Sequence, residues 1–201
     1  MKKQILMLLV CLCAFGRSNA ATQFVFYLHG AIVEGSDGAP ISQAFGRYEY
    51  HDIVKTLMKY GFVVISEIRP ANTNAQGYAL KVAGQIDSLK KAGVAPENIA
   101  VIGASKGAGI AMMTSALVKD KKVKYVLMAG CHDGPGEDLY GQVLSIYEKS
   151  DGVAGSCSKV KTNSNGISKY KEIELDTDLK HGFIYRPIKE WVEPAVLWIQ
   201  K

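Results

Sequence analysis

Short apolar runs alternate with amphipathic stretches from residue 23 to residue 200, and few folds accommodate this alternation. A connection through a helix brings the next strand back in the same direction, so the alternation favours a parallel sheet. The runs with strand character are 23–29, 62–68, 99–102, 125–129, 143–147 and 170–175. The sequence therefore predicts an α/β fold with about six mainly parallel strands and helices on both faces.

Four stretches have the three- and four-residue apolar spacing of helices, namely 50–58, 79–89, 106–118 and 187–200. The third stretch opens with the small residues Gly107, Ala108 and Gly109, which predicts close packing of this helix on the sheet. The last stretch contains Pro194, which predicts a bend or a break in the final helix.

The first 20 residues have the layout of a secretory signal peptide. Two lysines precede an apolar run over residues 5–15, and small residues precede a cleavage site between Ala20 and Ala21. An apolar run of 11 residues is short of the roughly 20 that cross a bilayer as a helix. We predict that 1–20 is a signal peptide and that 21–201 is one periplasmic or secreted domain without stable membrane insertion.

The net charge is mostly a property of this leader. The formal charge of +5 comes from 24 basic and 19 acidic residues. Without Lys2, Lys3 and Arg17, the remaining 181 residues hold 21 basic and 19 acidic side chains, a net charge of +2. The lysine cluster 119–124 has no aromatic or basic extension, so we predict no nucleic-acid partner. The sequence does not indicate an oligomeric state.

Two cysteines remain after the leader, Cys131 and Cys157. An even pair in an exported chain predicts a disulfide bond, because the compartment is oxidising. A catalytic thiol and half of a metal site are the alternatives, although no spaced set of further ligands accompanies either cysteine. We predict neither a metal ion nor an organic cofactor.

The chemistry of the chain begins where the third strand run ends. Residues 103–107 spell G-x-S-x-G between a strand and a helix, with Ser105 at the centre. A sharp strand-to-helix turn exposes and orients a serine hydroxyl, and it directs the N-terminus of the helix at an oxyanion formed beside it. The alternative, a phosphate-binding turn, lacks the G-x-x-x-x-G-K-[ST] frame. We predict that Ser105 is a nucleophile.

A serine nucleophile needs a base and an acid that orients the base, and both follow in the chain. Asp151 comes four residues after the run 143–147, and His181 lies in the loop after the run 170–175. Of the four histidines, only His181 has this placement. Asp133, which follows the run 125–129, is an alternative acid.

Two backbone N–H groups are predicted to form an oxyanion hole. One belongs to Lys106, the residue after the nucleophile, and the other to Ala31, in the loop after the first strand run. His29 is predicted to hold this loop rather than to act as a base.

Together, His29–Gly30, the elbow at 103–107, Asp151 and His181 resemble the α/β-hydrolase superfamily over essentially all of residues 21–201. The resemblance implies a three-layer α/β-hydrolase core with Ser105 as nucleophile. We expect a departure from the fuller family plan, because the first predicted strand is the one that carries the oxyanion loop, without the two usual antiparallel strands before it, and no insertion is long enough for a lid domain. It is similar to small carboxylesterases and dienelactone-hydrolase-like enzymes.

These features predict a serine hydrolase that cleaves small carboxylic esters through an acyl-enzyme intermediate. A peptidase or a thioesterase would use the same three side chains. A catalytically idle secreted binding protein with the same fold is the third alternative.

Five further residues near the predicted site have open roles. Glu67 and Arg69 follow the second strand run and either bind a polar substrate group or pair with each other. Tyr48, Tyr50 and Tyr140 are candidates for lining the cleft, with helix packing favoured for Tyr50.

Overall fold

A computed structural model of the chain describes residues 21–131 and 138–201. The predicted signal peptide and the alternative acid Asp133 lie outside the described residues. No helix within the described ranges is both long enough and apolar enough to span a membrane.

Six parallel strands form the central sheet. Numbered along the chain, the strands are β1 (Phe24–Leu28), β2 (Ile41–Ser42), β3 (Gly46–Arg47), β4 (Val63–Ile65), β5 (Ile99–Ala104), β6 (Lys124–Met128), β7 (Tyr140–Glu148) and β8 (Gly166–Leu175). The sheet has the order β4-β1-β5-β6-β7-β8, and every neighbouring pair in it is parallel. β2 and β3 pair with each other as a separate antiparallel hairpin.

Helices cover both faces of the sheet, as predicted. They are α1 (Tyr50–Lys59), α2 (Ala75–Lys91), α3 (Lys106–Val118), α4 (Ser158–Asn163) and α5 (Lys189–Gln200). α1 and α5 bury their apolar sides on one face, and α2, α3 and α4 on the other. Alternate side chains of β1 divide between these two cores, with Val25 and Tyr27 in one and Phe26 and Leu28 in the other. The three-layer core is therefore confirmed.

The small residues at the start of α3 allow the predicted close approach to the sheet. A methyl group at Gly107 would lie 1.9 Å from the carbonyl oxygen of Leu28, and one at Gly103 would lie 2.4 Å from the carbonyl oxygen of Gly107. Side chains larger than hydrogen would therefore push α3 away from β1 and β5.

Several elements differ from the prediction. β8 begins at Gly166, four residues before the predicted start, and the hairpin β2–β3 and the short helix α4 were not predicted. The prediction for α5 is a bend or a break at Pro194; α5 continues through Pro194 as one helix, so a break is wrong and the bend stays a prediction. In the described part of the chain, the connections after β7 contain only α4, a short 3-10 helix and α5, with no lid domain.

Candidate active site

Ser105 occupies a strained turn between β5 and α3. Its backbone has φ 52° and ψ −118°, a conformation that a residue with a side chain rarely adopts. The turn is held because the Ser105 N–H donates to the Met128 carbonyl oxygen of β6 at 2.9 Å, and the Ser105 carbonyl oxygen accepts from the N–H of Ala108 at 2.8 Å. This conformation fixes the direction of the Ser105 hydroxyl at the carboxyl edge of the sheet.

His181 and Asp151 extend from Ser105 as a chain of hydrogen bonds. The Nε2 atom of His181 lies 3.0 Å from Ser105 Oγ, and its Nδ1 atom lies 2.8 Å from Asp151 Oδ2. Because a carboxylate only accepts, Nδ1 carries the proton and Nε2 is free to accept the proton of the Ser105 hydroxyl. The structure thus brings together the three side chains that the sequence singled out.

The Asp151 side chain is fully buried and fixed by its own loop. Its Oδ1 atom accepts the N–H of Val153 at 2.8 Å, while Oδ2 faces His181. One oxygen therefore anchors the carboxylate and the other orients the imidazole. Asp133 lies outside the described residues, so its role as an alternative acid stays a prediction.

The two N–H groups predicted for an oxyanion hole both stand at the beginning of a helix. Lys106 is the first residue of α3, and Ala31 is the first residue of a 3-10 helix, Ala31–Val33. Groups in this position have no earlier helical carbonyl to bind. Gly30 brings the second loop close to the first, because a methyl group at Gly30 would contact Ser105 Cβ at 3.7 Å.

His29 is buried and holds two loops together. Its Nδ1–H donates to the Gly30 carbonyl oxygen at 2.8 Å, and its Nε2 accepts the Arg69 N–H at 3.0 Å. Burial, followed by the positive charge of Arg69, lowers the pKa of His29 to about 4. The ring is therefore neutral at physiological pH and has both nitrogens occupied.

A buried cluster of charges lies behind the loop that carries Ala31. The Glu34 carboxylate accepts Arg69 Nε at 3.1 Å and Lys106 Nζ at 2.8 Å. Arg69 also donates through Nη2 to the His29 carbonyl oxygen at 2.5 Å. Burial raises the pKa of Glu34, but the hydrogen bonds from Lys106 and Arg69 outweigh this effect, and the pKa lies below its usual range. Glu34 therefore ties the loop that carries Ala31 to the first turn of α3.

Arg69 and Glu67 do not pair with each other. Arg69 has no exposed side-chain surface and is committed to Glu34 and His29, so it does not reach a substrate. Glu67 binds Lys81 and accepts the Tyr78 hydroxyl at 3.1 Å. The predicted pairing is wrong, because Arg69 binds Glu34 and His29 while Glu67 binds Lys81 and Tyr78.

Aromatic side chains pack beneath and beside the site. Tyr48 is fully buried, so it does not line an open cleft, and its hydroxyl lies 2.7 Å from that of Tyr27. Phe45, between the strands of the hairpin, packs its ring 5.8 Å from the ring of His181. The hairpin therefore supports the histidine. It was missed because two-residue strands leave no alternating pattern.

A disulfide bond joins Cys131 and Cys157, as predicted. It links the segment after β6 to the residue before α4, and Gly155 N–H donates to the Cys131 carbonyl oxygen at 3.0 Å beside it. Both sulfurs are bonded, so neither cysteine is a free thiol or a metal ligand here. The bond anchors the far end of the loop that carries Asp151.

No protein-family profile matches the sequence, and no curated protein matches it. Solved structures do match. Esterase PE8 has a TM-score of 0.56 at 13% identity, covering 91% of this chain and 94% of its own. One of the metagenome-derived lipolytic enzymes LipS and LipT has a TM-score of 0.61 at 11% identity, covering 90% and 94%. A protein from Xanthomonas campestris described as a hydrolase of the α/β superfamily has a TM-score of 0.54 at 11% identity, covering 89% and 96%. At these identities the likeness shows the fold, which is that of the α/β-hydrolases.

Proposed function

We propose that the chain is an exported serine hydrolase that cleaves small carboxylic esters. The observation that carries the proposal is the hydrogen-bonded series from Ser105 through His181 to Asp151, at 3.0 and 2.8 Å. An ordered nucleophile, base and orienting acid at hydrogen-bond distance is the arrangement that activates a serine. The names of two proteins with the same fold, an esterase and a lipolytic enzyme, favour ester bonds as the target.

The reaction proceeds in two acyl-transfer steps. Ser105 Oγ attacks the ester carbonyl carbon as His181 Nε2 takes the hydroxyl proton, and His181 then gives that proton to the departing alcohol. Asp151 stabilises the imidazolium that exists between these transfers. Water next attacks the acyl-enzyme with His181 again as base, which releases the acid and restores Ser105.

The negative charge on the carbonyl oxygen is held by the N–H groups of Ala31 and Lys106. Each is the first N–H of its helix and lacks a helical acceptor, so an oxyanion satisfies it. Removing one such donor in a serine hydrolase costs about 100- to 1,000-fold in kcat. The Glu34 cluster holds both donor segments in one arrangement, which spares them from reorganising during the reaction. No step requires a metal ion or organic cofactor.

The test is labelling of the folded protein with a fluorophosphonate, followed by hydrolysis of chromogenic esters of increasing acyl length. We expect labelling at Ser105 and turnover of short esters. Ser105→Ala should abolish both, whereas Ser88→Ala, which removes an exposed hydroxyl on α2, should change neither. Ester turnover that survives Ser105→Ala would overturn the proposal.

Matched ester, thioester and amide substrates with one acyl group separate the esterase from a thioesterase or a peptidase. We expect the highest kcat/KM for the ester. A fluorophosphonate that leaves folded protein unlabelled would point instead to an idle binding protein.

Export rests on the predicted leader and is supported by the disulfide bond, which is typical of oxidising compartments. N-terminal sequencing of the protein from the native cell envelope or medium should begin at Ala21. Full-length protein retained in the cytosol would contradict the predicted export.

A further inference from the structure

Glu148 is a buried acid at the last position of β7, and neither the sequence patterns nor the proposed reaction uses it. Only 1% of the Glu148 surface is exposed. It stands three positions before Asp151, and in the sheet it is paired with Leu175, the last residue of β8. The loops carrying Asp151 and His181 leave the sheet from these two strands, so Glu148 lies where the loops separate.

The carboxylate of Glu148 accepts hydrogen bonds from both loops. Its Oε2 atom accepts the Ser150 N–H at 2.8 Å and the Ser150 hydroxyl at 2.6 Å. Its Oε1 atom accepts the Thr177 N–H at 3.2 Å, and the N–H of Asp178 also donates to the carboxylate. One oxygen therefore accepts hydrogen bonds from the segment before Asp151, and the other accepts them from the segment before His181.

These bonds hold Glu148 in its charged form. Burial raises the pKa of Glu148, but the bonds from Ser150, Thr177 and Asp178 outweigh burial, and the pKa lies below its usual range. Among the described residues no ion pair joins Glu148 to a cation. A buried carboxylate without a cationic partner depends on its hydrogen-bond donors, so the donors and the acid hold one another in place.

The loop before His181 needs such support. Asp178 and Lys180 have φ values of 58° and 53°, so two residues with side chains adopt the left-handed conformation within three positions of His181. Within 21–131 and 138–201, the other side-chain link between the two loops, apart from the His181–Asp151 bond itself, is the ion pair of Lys149 with Asp176 at 3.3 Å. Both of its side chains are more than half exposed, and such pairs contribute little.

We propose that Glu148 is a positioning residue, a buried clamp that sets the distance and angle between Asp151 and His181 by holding the bases of their two loops. The inference rests on the proposed function, because it concerns the same three side chains. Glu148 does not touch the substrate, and its effect passes through the His181–Asp151 hydrogen bond.

Glu148→Gln tests the clamp with little change in volume. An amide offers one acceptor oxygen and turns an NH₂ group toward donors, so one loop loses its anchor. We expect kcat to fall about 10- to 100-fold, since small misplacements of reacting groups have effects of this size. KM should stay within about twofold, because the clamp makes no contact with substrate.

The matched control is Asp176→Asn. It makes the same carboxylate-to-amide change on the loop that carries His181, but it removes the exposed link instead of the buried one. We expect its kcat to be unchanged. A second readout is the downfield proton resonance of His181 Nδ1–H bound to Asp151. It should move or broaden in Glu148→Gln and remain in place in Asp176→Asn.

The outcomes separate the inference from the proposed function. A folded Glu148→Gln protein with wild-type kcat and an unmoved resonance would overturn the clamp while Ser105→Ala remains inactive. Activity that survives Ser105→Ala would instead remove the proposed function. If Glu148→Gln does not fold, Ser150→Ala provides the test, because it deletes only the hydroxyl donor. We expect that variant to be folded with kcat about threefold lower, and wild-type kcat with an unmoved resonance would overturn the clamp.

Discussion

His29 illustrates at the scale of one residue how burial controls protonation beside the site. The unfolded chain binds a proton on this ring near pH 6.5 and the folded chain only near pH 4, so between these values the unfolded state holds more protons. His29 therefore makes a contribution to the free energy of unfolding that is fully present above pH 6.5 and is lost as the pH drops toward 4, roughly 3 kcal/mol in total.

We predict that His29→Gln flattens this part of the stability curve. Urea unfolding at pH 7, 6, 5 and 4.5 should show a smaller loss of stability in the variant than in the wild type, because the group that takes up the proton on unfolding is gone. His51→Gln, at an exposed ring on α1, is the control and should keep the wild-type slope. Parallel curves for wild type and His29→Gln would contradict the pKa assigned to His29.

A site residue is recognisable from the sequence when the signal that marks it lies nearby in the chain. It is missed when its hydrogen-bond partners are far away in the chain. Ser105 is recognised from the glycines beside it, and Asp151 and His181 from their places after strands. Glu34 binds partners 35 and 72 positions away, and Glu148 binds Thr177 29 positions away. No local pattern marks such a carboxylate, because its neighbours are known only once the strands are arranged.

At the scale of one element, two glycines of α3 differ in whether a side chain fits at their position. Gly107 faces the backbone of β1, where a methyl group would lie 1.9 Å from the Leu28 carbonyl oxygen, whereas a methyl group at Gly109 meets nothing within 4 Å. We predict that Gly107→Ala lowers the free energy of unfolding by about 3 kcal/mol or more, since the obstacle is backbone.

The matched change Gly109→Ala should stabilise the protein by about 0.5–1 kcal/mol, because alanine restricts the unfolded chain and favours the helix. Urea denaturation of both variants gives the two values directly. Equal effects at the two positions would contradict the close packing of α3 on β1.

Sequence patterns predict an element best when one of its faces is clearly apolar or when a recognisable turn marks its end. α3 has its predicted bounds, since the elbow begins it and a lysine-rich turn ends it. The sequence predicts too short a β8, because its first four residues, 166–169, include the polar Ser168 and Lys169 and lack a clear apolar alternation. α5 stays helical at Pro194 because the proline removes one backbone hydrogen bond, the one to the Glu190 carbonyl oxygen. The buried side chains of Trp191, Ala195 and Trp198 hold the helix on the sheet.

At the scale of the whole molecule, the site combines loops from distant parts of the sequence at one edge of the sheet. The alternation of strands and helices predicts that the strands are parallel, which places their carboxyl ends together. It does not predict the order β4-β1-β5-β6-β7-β8, which depends on how the two apolar layers of helices fill both faces. The resemblance carried by the elbow implied a three-layer core with Ser105 as nucleophile, but it did not predict the strand order either.

The disulfide bond between Cys131 and Cys157 closes a loop of 26 positions that includes β7 and Asp151. Both cysteines are buried, at 1% and 2% exposed, so the bond belongs to the packed interior of the α2–α3–α4 layer. On the chain-entropy account a loop of this length stabilises the fold by about 3 kcal/mol, because the unfolded chain loses freedom. We predict that the double change Cys131→Ala and Cys157→Ala lowers the free energy of unfolding by about this amount.

Urea unfolding with and without dithiothreitol measures the same quantity in the unaltered protein. The reductant should shift the wild-type midpoint toward that of the double variant and leave the variant itself unchanged. Because buried sulfurs react only after opening, reduction of the folded protein should be slow and should accelerate near the unfolding midpoint. If complete reduction left the wild-type midpoint unchanged, packing of α4 and β8 would hold the Asp151 loop without the covalent link. The hydrogen bonds of Glu148 would then contribute a larger share of the support for this loop.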